Sequence, residues 1–142
     1  MADVHDVKTR SYNMSRISGK NTKPEMIVRK FLHACGFRYR LHAKDLPGKP
    51  DLVLPKYNTV IFVHGCFWHA HEGCESFVMP KSRLNYWEPK LSGNKKRDEK
   101  NFIRLKEIGW NVLVVWECDL KQKFANKTLS ELIRKLKENE HK

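Results

Sequence analysis

Residues 64–74 read His64-Gly65-Cys66-Phe67-Trp68-His69-Ala70-His71-Glu72-Gly73-Cys74. Two thiols, three imidazoles and two adjacent aromatics follow directly on the apolar run Thr59-Val60-Ile61-Phe62-Val63. Cys66-x4-His71-x2-Cys74 is a spacing that suits zinc, which takes four soft or borderline donors in a tetrahedron. Three donors are local, so the fourth must come from a distant segment. Cys118 ends the last apolar strand. If that strand pairs in parallel with 59–63, Cys66 and Cys118 meet at one sheet edge. Four protein ligands would close the metal's shell and make it structural rather than catalytic. The bland alternative is a histidine-rich surface loop with ordinary cysteines. His69, at Cys-x2-His spacing, competes with His71 as third ligand.

Other residues carry weaker chemistry. Asp51 follows a Pro-Gly turn at the start of a strand, where a carboxylate can hold Mg²⁺ and leave water positions open. On its own, a turn-ending Asp needs no such role. Glu25 is explained by a capping box with Thr22. His64 and His69, if both are spared by the metal, stand close enough to a candidate carboxylate for acid–base work. Phe67, Trp68 and the pair Tyr86-Trp87 fall outside any helix or strand period. They are either loop anchors or wedges for a base stack. Unstacking a step costs a few kcal/mol, less at a mismatch, and base–aromatic stacking returns about 1–3 kcal/mol. Those terms nearly cancel only at a weakened step, so an intercalating loop would sense mismatches.

The 142 residues suffice for one domain with a core. Lys and Arg number 28 against 16 acids, a formal charge of +12. Cations spread along the whole chain favour a folded face for a polyanion, nucleic acid first. Apolar runs are too short to span a membrane. The opening Met1-Ala2-Asp3-Val4-His5-Asp6 lacks a signal-peptide core, so a cytoplasmic location is expected. Cysteines are then thiols or metal ligands rather than disulfides. Cys35, inside an apolar helical pattern, is expected to be a small buried hydrophobe.

The elements that must position these groups follow from period and punctuation. Residues 1–21 form a polar, basic arm with Met14 and Ile17 as isolated apolar positions; 22–142 form a single domain. Thr22-Lys23-Pro24-Glu25 opens a helix that stops at Gly36. Phe37–Leu41, Asp51–Leu54 and Thr59–Val63 are strands, the last apolar on both faces and hence central. Residues 75–93 are expected to be irregular, with Pro80, Pro89 and Gly93 as breakers. A helix over Asn94–Ile108 buries Phe102, Leu105 and Ile108. Trp110–Trp116 is a strand. Thr128–Asn139 is a helix with a second capping box, Thr128 to Glu131. Three strands in succession form a meander, and the 94–108 helix crosses over to a fourth. The expected fold is α/β, a mixed central sheet flanked by helices on both faces, with a structural zinc site.

Four segments carry a resemblance. They are Met1–Asp6, Leu46-Pro47-Gly48-Lys49-Pro50-Asp51, Val60-Ile61-Phe62-Val63-His64-Gly65-Cys66-Phe67-Trp68-His69, and Gly109-Trp110 through Trp116-Glu117-Cys118. Together they resemble the very short patch repair (Vsr) DNA mismatch endonucleases, with a match running to about residue 120. The resemblance implies a restriction-endonuclease-like fold and Mg²⁺-dependent hydrolysis of one phosphodiester, 5′ to the thymine of a T·G mismatch left by 5-methylcytosine deamination. It makes Asp51 the Mg²⁺ carboxylate, with the backbone carbonyl of Val63 as a further ligand. It makes His69 the general base, assisted by His64 and Glu25. It puts zinc on Cys66, His71, Cys74 and Cys118. Phe67, Trp68 and Trp87 would enter the duplex from one groove and Met14 and Ile17 would press from the other. Lys90 and Asn94 match DNA-contacting positions. The implied partners are mismatched duplex DNA, repair-pathway proteins and a cognate cytosine-5 methyltransferase, met by a monomer in the nucleoid. Residue 63 is Val where the family pattern has Thr, and the His71-x2-Cys74 spacing is one residue longer than the family's. The wider fold places an acid and a lysine on its second central strand; here that strand offers no acid and histidines stand in. Two alternatives compete: a restriction-type endonuclease acting on undamaged duplex, and a zinc-bearing DNA-binding module without catalysis.

Overall fold

The computed structural model describes residues 22–74 and 77–140; the arm expected over 1–21, with Met14 and Ile17, lies outside them. Helix α1 spans Lys23–Ala34. Thr22 is its N-cap, with its hydroxyl accepting from Glu25 N at 3.4 Å, a bond worth about 1 kcal/mol. The reciprocal half of the expected capping box gives way to another use. The Glu25 carboxylate turns to Arg29 and His42 and is only 1% exposed. Gly36, at φ +87°, ends the helix as expected. Cys35 is exposed, not buried, because it sits at the C-cap beyond the helix's apolar stripe.

The expected strand over 37–41 shrinks to β1, Arg40–Leu41. Phe37 instead folds back on the helix end, its N–H on Leu32 O at 3.0 Å and its ring 5.2 Å from Tyr57. Strand β2 is Leu52–Leu54 and β3 is Thr59–His64, joined by a short 3-10 turn, Pro55–Tyr57. Strand β4 is Asn111–Trp116. The sheet order is β1-β2-β3-β4, with the first two pairings antiparallel and β3–β4 parallel. The meander, the crossover and the central place of β3 all match the expectation.

Alternation along the strands separates two cores. Leu52, Leu54, Ile61 and Val115 pack against Val28 and Leu32 of α1 and Leu129, Leu132 and Leu136 of α3, which spans Ala125–Glu138. On the opposite face, Val53, Val60 and Phe62 pack against Leu105 and Phe102 of α2, the helix Leu84–Glu107. Helices therefore cover both faces, as expected.

Helix α2 runs Leu84–Glu107, ten residues earlier than the sequence indicates. Pro89 lies inside it and removes one backbone bond, at a cost of about 3 kcal/mol. Burial of Leu91, 1% exposed, and the aromatic contacts of Trp87 offset that cost. At the other end, Ile108 is 59% exposed, contrary to the expected stripe, because it is the C-cap turning into Gly109. Thr128 does not cap α3. It lies within the helix, and its hydroxyl donates to Asp119 O at 2.7 Å. Among the described residues no helix is long and apolar enough to cross a membrane.

Candidate functional site

Parallel pairing sets His64 beside Trp116, so β3 and β4 end at the same sheet edge. Cys66 and Cys118 lie two residues past those ends. Cys66, His71, Cys74 and Cys118 offer ligand atoms all within 4.8 Å of one another. Cys118 Sγ is 3.5 Å from His71 Nδ1, and the His71 ring lies flat on Trp116 at 3.9 Å. Burial pushes the Cys118 thiol up to about 12, and the neighbouring thiols of Cys74 and Cys66 push the same way. Cys66 is also raised, chiefly by burial. Crowded thiols that resist ionisation are ones a cation would deprotonate outright. Three sulfurs and an imidazole fit zinc and would fill its four positions without water. His69, the competing ligand, points elsewhere.

Ala70 is the reason. Its φ of +48° is left-handed, which an alanine adopts at a cost of about 1 kcal/mol. The turn sends His71 to the thiols and His69 to α2, where His69 Nδ1 meets Asp98 Oδ2 at 2.6 Å. A carboxylate only accepts, so an ionised Asp98 fixes the proton on Nδ1 and leaves the Nε2 lone pair free. The His69 ring stacks on His64 at 3.6 Å, nearly parallel. His64 is 3% exposed. Burial, then the charge of His69, presses its pKa down to about 3 against the raising effect of Asp98. It is a neutral ring, and its Nδ1 is buried without a hydrogen-bond partner among the described residues. His64, His69, Asp98, Lys95 and Trp116 line a cleft of about 230 Å³.

Asp51 lies just before β2, which runs antiparallel to β3, so it reaches the same sheet edge. Its Oδ2 accepts from Val63 N at 2.7 Å. Glu25, His42 and Asp51 form a second group of potential ligand atoms within 4.8 Å of one another. Burial pushes Asp51 up to about 7; the Val63 N–H opposes this, the Glu25 carboxyl adds to it, and a charged His69 lowers it. That Asp51 feels His69 puts the two in one electrostatic neighbourhood. A part-buried Asp51 carboxyl that holds its proton this high favours added positive charge, and the oxygens of Asp51 and Glu25 fit a hard divalent cation such as Mg²⁺.

The aromatics form one half-buried cluster. Phe67 is 5.2 Å from Trp68 and 5.3 Å from Trp87, and Trp68 is 5.9 Å from Trp87. Asn94 Nδ2 donates to Trp68 O at 3.0 Å, tying the loop to α2. Lys90 is exposed one turn earlier, with Nζ 5.7 Å from the Tyr86 ring.

The structure thus gathers Asp51, Glu25, His64, His69 and Val63 at one strand end and the four metal-type ligands beside them. Sequence reasoning missed His42 and Asp98. Asp98 is hidden in the charge run Lys95-Lys96-Arg97-Asp98-Glu99-Lys100, where it looks like a solvated acid. His42 carried no sequence signal of its own; only the β1–β2 register, which pairs Leu41 with Leu52 and so sets residue 42 opposite Asp51, reveals it.

The sequence profile of the family "DNA mismatch endonuclease Vsr" matches residues 2–76. The chain is 51% identical over 120 residues to the type II nicking enzyme V.XorIIP of Xanthomonas oryzae pv. oryzae, covering 84% of this chain and 88% of that protein. It is 48% identical over 139 residues to the type II nicking enzyme V.NmeAIP of Neisseria meningitidis serogroup A, covering 97% and 99%. It is 44% identical over 133 residues to the DNA mismatch endonuclease Vsr of Escherichia coli K12, covering 92% and 85%.

Proposed function

The chain belongs to the Vsr family of DNA mismatch endonucleases, and from that premise we propose that it nicks one strand of duplex DNA 5′ to the thymine of a T·G mismatch. It is a DNA endonuclease, so DNA is its substrate. One observation carries the finer reading. Asp51, held by the Val63 N–H, and His69, held by Asp98, converge on the same end of β3.

Hydrolysis of a phosphodiester needs a base for water and a counter-charge for the phosphate. His69 is the base, its Nε2 taking a proton from water. Asp98, at 2.6 Å from Nδ1, steadies the imidazolium that results. The neutral His64 ring offers that cation its face at 3.6 Å. Asp51, the carbonyl of Val63 and Glu25 make up the oxygen-rich side. Mg²⁺ bound there would supply charge stabilisation at the scissile phosphate. Cys66, His71, Cys74 and Cys118 would hold a structural zinc and so stiffen the loop bearing His69.

Phe67, Trp68 and Trp87 wedge into the base stack. The cost of unstacking is a few kcal/mol and is smallest at a mismatch, which is where stacking on the aromatics recovers it. Lys90 and Asn94 contact the duplex on the same side, and Met14 and Ile17 of the 1–21 arm contact it from the opposite groove. The protein acts as a monomer at the nucleoid, downstream of a cytosine-5 methyltransferase and together with repair-pathway proteins.

The test is a pair of duplexes, one carrying T·G and one fully matched, incubated with the protein and Mg²⁺. The T·G duplex should be nicked about tenfold faster or more, since about 1.4 kcal/mol of barrier difference suffices. Equal rates would favour a restriction-type endonuclease acting on undamaged duplex. Asp51→Ala and His69→Ala should each abolish nicking and retain DNA binding. Full activity in either variant would remove that residue from the mechanism.

A further inference from the structure

Beside Glu25 and Asp51 stands a histidine that the reading above leaves unused. His42 Nε2 lies 2.9 Å from Glu25 Oε2. Its backbone N–H donates to Asp51 O at 3.0 Å, which extends the β1–β2 ladder by one residue. His42 adopts φ +49°, a left-handed conformation that takes it out of the strand pleat. Its ring is largely enclosed, and its ligand atom falls within 4.8 Å of those of both carboxylates. Glu25 itself is fixed from a second side by Arg29 at 3.3 Å. A buried carboxylate, a part-buried one and an imidazole, drawn from α1, the start of β2 and the β1–β2 connection, therefore surround a single point.

We propose that His42 is a nitrogen donor to the cation pocket of Glu25 and Asp51, which makes this pocket select a first-row transition cation, Mn²⁺ before Mg²⁺. Mg²⁺ is hard, keeps its waters and favours oxygen. An imidazole nitrogen raises affinity along the series that begins at Mn²⁺ and adds little for Mg²⁺. The proposal rests on the reading of Asp51 as the metal carboxylate.

The experiment measures Mn²⁺ and Mg²⁺ binding by the full chain, previously saturated with zinc, in the absence of DNA. Mn²⁺ is followed by electron paramagnetic resonance and Mg²⁺ by its competition. His42→Gln keeps an N–H for Glu25 but gives up the imidazole nitrogen. The expected result is a loss of about tenfold or more in the ratio of Mn²⁺ to Mg²⁺ affinity. Spin-echo modulation from a directly bound imidazole nitrogen should disappear with it. If His42 only steadies Glu25, the two affinities move together and the parent shows no such modulation, which overturns the proposal. Asp51→Asn separates the two failures. Loss of Mn²⁺ binding in Asp51→Asn, with an unchanged ratio in His42→Gln, defeats the nitrogen donor alone. Unchanged Mn²⁺ binding in Asp51→Asn defeats the carboxylate reading as well.

Discussion

Asp51 and His64 respond to pH in opposite directions. The folded Asp51 carboxyl keeps its proton to about pH 7, whereas an unperturbed one releases it near 3.8. Between those values the native state binds the extra proton, so without a divalent cation its stability falls as pH rises from about 4 through 7. His64 ionises at about 3 rather than 6.5, so its contribution is present above 6.5 and is lost as pH falls toward 3. Asp51→Asn removes the first burden and keeps an acceptor for Val63 N–H. In magnesium-free buffer at pH 8 the variant should be more stable than the parent, by up to about 4 kcal/mol. At pH 5 the difference should shrink to about 1.5 kcal/mol. Chemical denaturation at both values checks this, and a variant no more stable at pH 8 would refute the raised carboxyl. Asp98 acts through His69. Asp98→Asn keeps the size and a hydrogen bond but favours the wrong imidazole tautomer. Nicking should fall about 10²-fold or more while DNA affinity holds. A rate within about threefold of the parent would mean that the 2.6 Å contact is only structural.

At the scale of elements, the parallel pairing of β3 with β4 does the assembling. It sets His64 level with Trp116, and the chain leaving each strand delivers a cysteine. Cys118→Ala should therefore cost the protein its zinc, although residue 118 is far from the 66–74 loop in sequence. Zinc present a thousandfold above its Kd contributes about 4 kcal/mol, or about 10–15 °C in Tm. Elemental analysis and a thermal melt measure both, and undiminished zinc would reject the ligand set. Nicking should fail too, because Ala70 joins His69 to His71 through one left-handed residue. Much of this arrangement was legible in the sequence. The unbroken apolar run of β3 marks the centre of the sheet, and the Cys66, His71, Cys74 and Cys118 spacing needs that topology. What was not legible depends on distant packing. Pro89 and Gly93 read as breakers, yet Trp87 and Leu91 hold that segment helical from the side. Glu25 read as a cap because its true neighbours, His42 and Arg29, include one brought by another strand. Asp98 became visible only once α2 lay across the end of the sheet.

For the molecule as a whole, charge and shape divide the work of binding. A formal charge of +12 predicts strong attraction to any duplex, matched or not. That figure is already net of the acids, some of which pair with cations, as at Lys95–Glu72, Arg134–Glu138 and Lys56–Glu140. Contacts to six or more phosphates would still release enough counterions to weaken binding about 10³-fold between 50 and 200 mM salt. In the proposed reading, discrimination for T·G has another origin. A wedge of Phe67, Trp68 and Trp87 would exchange base stacking for aromatic stacking and release no counterions. Affinities for T·G and matched duplexes should therefore fall in parallel as salt rises, with their ratio constant. Lys90→Ala should lower the salt slope by about one and leave the ratio alone. Trp68→Ala should do the reverse, cutting the ratio by about 1–3 kcal/mol of lost stacking with the slope unchanged. Titrations of both duplexes across that salt range measure slope and ratio together. A ratio that collapses with salt would place mismatch recognition in the charged surface and take it away from the aromatic cluster.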